Sequence, residues 1–219
     1  MNRLFEEQKP STPTGDAIPA TSATLDRPTL TQPASISAHR WSQSLSGGAH
    51  VLIRPINRLD ASAERGFIDG LPSDTKQLHF TAQIQRSTEK YSALLSHLDD
   101  ANEVTLVAVV KDGAAERIVG MARYSNELAH NRCECALAVG DDWQHKGLGT
   151  ALMKHLIELA RINQIAAMQS RELAENLSMR ALLHELDFHL QLDPHDARLV
   201  LYTLELKLTS DTTETAPPP

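Results

Sequence analysis

The segment from Cys133 to Thr150 constrains the fold more than any other part of this chain. It predicts a strand, a polar turn and then a glycine loop that opens a helix. The strand is small and apolar and carries one carboxylate, Glu134, and helical spacing of apolar residues begins at Leu148. Backbone N–H groups in such a loop and in the first turn of a helix lack partners and bind phosphate oxygens. The segment therefore predicts a site for a phosphorylated cofactor beside a carboxylate.

The spacing within the loop excludes two common nucleotide-binding motifs. In a Walker A loop the lysine follows the second glycine, whereas here Lys146 precedes Gly147. A dinucleotide fingerprint needs a third glycine, and that position is Leu152. The remaining pattern is Gln144-x-x-Gly147-x-Gly149 after a strand.

This pattern resembles the pyrophosphate loop of the GNAT superfamily of N-acetyltransferases, which use acetyl-CoA. In that family a hydrophobic residue closes the preceding strand, and Val139 has this place. Asn176, followed by a helix pattern that ends in Phe188, resembles the second family signature, and Arg54-Pro55 resembles the opening strand. The similarity covers residues 49 to 207. It is strongest to the acetyltransferase domain of bacterial protein lysine acetyltransferases.

The resemblance implies an α/β (α+β) fold, a central mixed and mostly antiparallel sheet of about seven strands flanked by about four helices. Hydrophobic periodicity agrees with that order. It predicts strands at 50–56, 104–111, 117–124, 132–139, 166–173, 188–192 and 198–206, and helices at 60–70, 87–98, 148–163 and 176–186. Asp60 is the expected N-cap of the first helix, and Asp112-Gly113 is the expected hairpin turn.

Composition predicts one domain with two tails. Residues 1–47 are rich in Ser, Thr and Pro, and they bury too little apolar surface to offset chain entropy. We expect this segment to be disordered, the GNAT acetyltransferase domain to span 48–208, and the proline-ended segment 209–219 to be a second disordered tail.

Charge and targeting signals limit the partners and the compartment. The net charge is −7 and the basic residues are scattered, which argues against nucleic acid as a partner. No apolar stretch is long enough to cross a bilayer, and residues 1–7 lack the apolar region of a secretory signal. We therefore expect a cytoplasmic protein with no membrane partner.

The histidines and cysteines predict no metal site. The ten histidines include no His-x-His or His-x-x-x-His pair. Cys133 and Cys135 lie on one strand face without further ligands nearby in sequence, so small core residues are the simpler interpretation.

Acetyl-CoA is the cofactor that the resemblance implies, as a co-substrate. Its pyrophosphate would lie on the loop at 144–150, and its pantetheine arm would run along the central strand. The competing interpretation is a glycine turn that only packs a helix on a sheet, with an asparagine that only caps a helix. The predicted cofactor-binding residues are Leu137, Val139, Gln144, His145, Lys146, Gly147, Leu148, Gly149, Thr150 and Asn176.

Glu134 is the candidate general base. Strand alternation places it on one face with Ala136 and Ala138, which leaves room for a thioester. An alkyl ammonium, with a pKa of about 10.4, must lose a proton before its nitrogen attacks. The position also matches the catalytic glutamate of the family. The alternative is a structural salt bridge to Arg132 or Arg123.

Three positions depart from the family pattern. Leu183 stands where many members carry a tyrosine that protonates the leaving thiolate, and Asp187 and His145 stand where glycine is usual. His184 or Tyr124 could supply the missing acid, with a surface histidine and a packed tyrosine as the competing interpretations.

Together these features predict an acetyl-CoA-dependent N-acetyltransferase that acetylates a primary amine by direct attack in a ternary complex. The acceptor is a protein lysine or a small amine. The alternative is a non-catalytic acetyl-CoA sensor or interaction module on the same fold. The sequence leaves open the acceptor, the general acid, the association of two copies as a homodimer, and the role of the N-terminal segment.

Overall fold

One eight-stranded sheet organises the part of the chain that the structure, a computed structural model, describes: residues 36–71, 102–113, 115–193 and 196–206. Its strands are β1 (Trp41–Ser44), β2 (His50–Pro55), β3 (Glu103–Asp112), β4 (Ala115–Glu127), β5 (Arg132–Val139), β6 (Ala167–Leu173), β7 (His189–Leu192) and β8 (Leu199–Glu205). The α-helices within these residues are α1 (Ala61–Gly70), α2 (Leu148–Ile162) and α3 (Leu177–Glu185). Short 3-10 turns lie at Ile36–Ala38, Ser46–Gly48, Arg58–Asp60, Leu128–His130 and Asp141–Trp143.

The sheet order is β1-β2-β3-β4-β5-β6-β8-β7, and only the β5–β6 pair is parallel. The predicted fold class, a mixed and mostly antiparallel sheet with flanking helices, is therefore confirmed. β5 begins and ends at the predicted residues, because left-handed Asn131 precedes it and Gly140 follows it. The helix predicted at 87–98 lies outside the described residues.

The sheet starts further upstream than the sequence predicts. Trp41–Ser44 pairs with β2 as an antiparallel edge strand, although the predicted domain begins at residue 48. The ring of Trp41 stacks on that of His155 with centroids 4.2 Å apart, and Ile36 and Leu45 are buried. These few apolar residues pack in or against the core. The segment therefore buries more apolar surface than its mostly polar composition suggests. The disorder predicted for 1–35 and for the C-terminal tail concerns residues outside the described ranges.

Asp60 precedes α1, but its side chain does not cap the helix. It accepts hydrogen bonds of 2.6 and 2.8 Å from the guanidinium of Arg54, which is 5% exposed. Asn57 caps the preceding 3-10 turn, since its side chain accepts from the backbone N–H of Leu59. Asp60 thus stands at the predicted N-cap position of α1, but its carboxylate makes no cap hydrogen bond because it pairs with the buried guanidinium.

The two faces of the sheet hold separate layers of core. Cys133 and Cys135 face the layer that contains α2 and α3, whereas Ala136 and Ala138 face the layer that contains α1. The alternation predicted along β5 is therefore present. No helix among the described residues has both the length and the apolar character that a membrane span requires.

Candidate active site

A cleft opens where β5 and β6 separate. The two described strands pair only at Arg132–Glu134 with Ala167–Gln169, although β5 continues to Val139 and β6 to Leu173. On its other edge β5 stays paired with β4 as far as Val139. Among the described residues, the edge of β5 that faces β6 therefore has no strand partner beyond Glu134. Unpaired backbone N–H and C=O groups on such an edge can bind an extended, amide-containing ligand.

The cleft has a volume of about 410 Å³, within the range of small-molecule sites. Its walls come from β5, the glycine loop, the first turn of α2, the end of β6 and α3. Eight of the predicted cofactor-binding residues line it, namely Leu137, Val139, Gln144, His145, Gly147, Gly149, Thr150 and Asn176.

The other two predicted residues do not line the cleft. The ammonium of Lys146 lies 5.6 Å from the centroid of the Trp143 ring, and Leu148 is fully buried in the core. Any contribution of these two residues to an anion site would come from their backbone N–H groups. Sequence spacing identifies the loop, but it does not tell which side chains of the loop point into the cleft.

Gly147 and Gly149 are glycines for different reasons. Gly147 is the left-handed N-cap of α2, with φ 84°, and a Cβ there would meet nothing within 4 Å. Gly149 lies inside the helix, and a Cβ there would approach Cδ1 of Leu182 to 2.8 Å and Cδ2 of Leu137 to 3.2 Å. The first glycine serves the backbone turn, and the second lets α2 pack closely against α3 and β5.

Gln144 fastens the loop to the end of β5. Its Nε2 donates to the backbone carbonyl of Val139 at 3.3 Å and to the carboxylate of Asp141 at 3.1 Å. The loop then turns at His145, whose φ of 57° is left-handed, and enters α2. The N–H groups of the first helical turn, which have no acceptor within the helix, lie at this end of the cleft.

Glu134 is half-buried and lines the cleft. The competing salt bridge is absent: among the described residues Glu134 forms no ion pair, whereas Arg132 pairs with Glu127 and Arg123 pairs with Glu103. A carboxylate at this position can accept a proton from a ligand in the cleft.

A second carboxylate in the cleft, Glu172, is missed by sequence reasoning. Ser170 Oγ donates to its Oε1 at 2.7 Å, and Asn176 Nδ2 donates to its Oε2 at 3.2 Å. Asn176 also caps α3, since its Oδ1 accepts from the backbone N–H of Met179 at 3.2 Å. The cap, half of the competing interpretation, is therefore present in the structure. Glu172 interrupts no strand pattern and belongs to no motif, so only its neighbours in space mark it.

The positions that depart from the family pattern have structural explanations. Leu183 is fully buried, and its neighbour Leu182 lines the cleft instead. Tyr124 is also fully buried, with its hydroxyl accepting from Asn163 at 2.6 Å, and His184 is exposed outside the cleft lining. Neither of the two candidate acids therefore reaches the cleft. Asp187 has φ 62°, the backbone region that favours glycine.

The described residues contain no group of three or more His, Cys, Asp or Glu side chains arranged to hold a metal ion.

Comparisons with known proteins identify the fold and the relatives. The sequence profile of the Acetyltransferase (GNAT) family matches residues 73–188. The acetyltransferase PA5475 of Pseudomonas aeruginosa is 36% identical over 173 residues, which cover 79% of this chain and 93% of that protein. The acetyltransferase Pat of Mycolicibacterium smegmatis is 30% identical over 142 residues, which cover 64% of this chain but only 41% of that longer protein.

A solved structure has the same architecture. The crystal structure of the GNAT domain of S. lividans PAT superposes with a TM-score of 0.62 at 21% identity. The match covers 76% of this chain and 97% of that domain.

Proposed function

This chain belongs to the acetyltransferase (GNAT) family, and on that premise we propose that it transfers the acetyl group of acetyl-CoA to a primary amine by direct attack in a ternary complex. The observation that carries the proposal is the unpartnered edge of β5 where it meets the glycine loop and the first turn of α2. One cleft thus offers backbone groups for an amide-containing arm and a helix N-terminus for phosphate oxygens.

The residues present fit acetyl-CoA. Left-handed Gly147 directs the loop into α2, and the space beside its Cα is open. Leu137 and Val139 would support the pantetheine arm from β5, and the backbone from Gln144 to Thr150 would hold the pyrophosphate. When bound, acetyl-CoA supplies an activated acyl group, and the protein supplies position and proton transfer.

Glu134 would act as the general base. It is half-buried in the cleft and, among the described residues, is not engaged in an ion pair, so its carboxylate is available to an ammonium group. The proton that it removes leaves a neutral amine, which is the nucleophile that the reaction needs. Its negative charge also favours binding of a cationic acceptor before deprotonation.

A protein lysine is the acceptor that we favour over a small amine. Support comes from the sequence similarity to Pat and from the fold similarity to the PAT domain. The match covers less than half of Pat, so nothing outside the acetyltransferase domain of that protein is carried over.

An acceptor panel tests the proposal. The full chain would be mixed with acetyl-CoA and with lysine-containing peptides, intact proteins and small amines, and release of free CoA would be measured. We expect acetylation of lysine side chains at neutral pH. Tight binding of acetyl-CoA without turnover on any amine would contradict the proposal and favour the sensor alternative, for which buried Leu183 in place of a tyrosine is the supporting observation.

A further inference from the structure

Glu172 is the carboxyl group of the cleft to which the proposed mechanism gives no role. It stands on β6 beyond Gln169, the last residue of that strand that pairs with β5. It therefore lines the open part of the cleft, across from the unpartnered edge of β5. A ligand held along that edge would lie between Glu172 and β5.

Two hydrogen bonds fix the position of the Glu172 carboxyl group. Ser170, which is fully buried, donates to one oxygen, and Asn176 donates to the other. Asn176 is itself fixed by its cap on α3. The carboxyl group is thus held at the junction of β6 and α3, the part of the fold from which the family tyrosine would be expected to reach the cleft.

The surroundings of Glu172 favour its protonated form. Burial raises the pKa of Glu172 above its usual value, the two hydrogen bonds oppose this shift, and the charge of Glu134 raises the pKa further. The charge of Glu172 is coupled to Cys135 on β5 and to Tyr202 on β8, and the charged groups Arg171 on β6 and Glu185 on α3 line the same cleft. Burial raises the pKa of the Cys135 thiol as well, so that group stays neutral and adds no charge.

We propose that Glu172 is a catalytic residue, the general acid that protonates the departing sulfur of CoA. The inference rests on the proposed function. Glu172 would supply the proton donor that Leu183 cannot be, since the other two candidates, Tyr124 and His184, lie outside the cleft lining. Glu134 then acts as the base and Glu172 as the acid, as two carboxyl groups in different surroundings do in other active sites.

The proton and bond changes balance. Glu134 takes a proton from the ammonium group and passes it to solvent, and the neutral nitrogen forms the new C–N bond to the acetyl carbon. The nitrogen is then cationic, and it loses a second proton to Glu134 as the acetamide forms. Glu172 gives its proton to the sulfur as the C–S bond breaks. The products are an acetamide and neutral CoA, and solvent returns Glu134 and Glu172 to their starting protonation states.

The first test is Glu172→Gln with Glu175→Gln as the matched control. Glu175 is exposed, outside the cleft lining, and also next to the start of α3. The acid must be protonated to act, so the kcat of the wild-type protein should fall as pH rises through the pKa of Glu172. Glu172→Gln should lower kcat by about 10²-fold and abolish this basic limb, whereas acetyl-CoA affinity should change less than about threefold. The control should keep both kcat and the limb.

The second test needs no turnover. Infrared difference titration of the protein without cofactor should show a carboxyl band that stays protonated above the usual glutamate range and disappears in Glu172→Gln. Ser170→Ala removes a hydrogen bond that lowers the pKa of Glu172. Both the infrared titration and the basic limb should therefore move to higher pH in that variant. If Glu172 only supported α3, the infrared titration would still move but the basic limb of turnover would not. This variant also serves if Glu172→Gln does not fold.

The outcomes separate the two proposals. Wild-type protein that acetylates no amine of the panel overturns the proposed function. Wild-type protein that turns over while Glu172→Gln keeps its rate and basic limb overturns only the assignment of Glu172. A carboxyl group at position 172 whose pKa is not raised above the usual glutamate value overturns the assignment whether or not turnover is found.

Discussion

The two walls of the cleft are built in different ways. The wall made by β5 and the glycine loop presents backbone groups and is shaped by Gly147 and Gly149. The wall made by β6 and α3 presents side chains held by hydrogen bonds, and Ser170 and Asn176 each donate one to the carboxyl group of Glu172. The first wall depends on where the chain turns, and the second depends on which side chains meet. The first suits the binding of a cofactor, and the second suits the handling of a proton.

Loss of Glu134, the proposed base on the first wall, should have the largest effect. Glu134→Gln keeps size and hydrogen bonding but removes the carboxylate that we propose as the proton acceptor. Turnover should fall by about 10²–10⁴-fold with acetyl-CoA affinity nearly unchanged.

Glu158→Gln, on the exposed face of α2, is the control for this loss of charge. Full turnover in Glu134→Gln would place the base elsewhere. An unfolded Glu134→Gln protein would instead indicate that the carboxylate has a structural role.

Gly147→Ala and the same change at a matched glycine, Gly113, should separate an effect on cofactor binding from an effect of backbone strain. Gly113, in the β3–β4 hairpin, also has a left-handed φ (64°) and open space where a Cβ would stand. Both alanine variants should lose about 1 kcal/mol of unfolding free energy. Only Gly147→Ala should weaken acetyl-CoA binding, by about tenfold, because a side chain there would stand at the proposed pyrophosphate site.

Calorimetry measures the acetyl-CoA affinity of the two variants, and thermal unfolding measures their loss of stability. Equal acetyl-CoA affinity in the two variants would mean that the loop does not hold the pyrophosphate.

Gly149→Ala should act through packing between the walls. Its new Cβ would clash with Cδ1 of Leu182, and we expect a loss of about 1–3 kcal/mol in unfolding free energy. Combining it with Leu182→Ala should recover part of that loss relative to the sum of the two single changes. Strictly additive unfolding free energies in the double-mutant cycle would contradict this contact.

The smallest effects are expected at two residues with left-handed backbone conformations, one that lines the cleft and one that does not. His145 lines the cleft and Asp187 does not, and their φ angles are 57° and 62°. Glycine at either position should raise the free energy of unfolding by about 0.5–1 kcal/mol, because it relieves the left-handed backbone at some cost in chain entropy. Only His145→Gly should also alter acetyl-CoA affinity. Chemical denaturation that shows no gain for either variant would indicate that the side chains compensate for the strain.

Local pattern predicts the first wall well. The strand, the turn and the helix from Cys133 to Thr150 are each specified by neighbours in the chain, and β5 has the predicted bounds. The alternation along β5 also places Glu134 correctly on the face opposite Cys135. These features follow from backbone preferences and hydrophobic period, which act over a few residues.

Contacts between distant residues account for what the sequence misses. The edge strand β1 forms because Trp41 reaches His155 across more than a hundred positions of chain. The carboxylate of Asp60 makes no helix-cap hydrogen bond because it accepts from the buried guanidinium of Arg54. Tyr124 is excluded as the acid because its hydroxyl accepts a hydrogen bond from Asn163 in the core. None of these pairings has a local signature.

The sequence by itself determined the family, the order of most elements and the loop that faces the cleft, because glycine, proline and apolar spacing constrain the backbone wherever they occur. Only the tertiary structure decided where β5 and β6 part, which loop side chains enter the cleft and that Glu172 stands across from β5. The physical reason is that burial and electrostatic coupling are properties of a position in space. A carboxyl group acquires a raised pKa from what surrounds it, and the chain order of Glu172 reveals none of those surroundings.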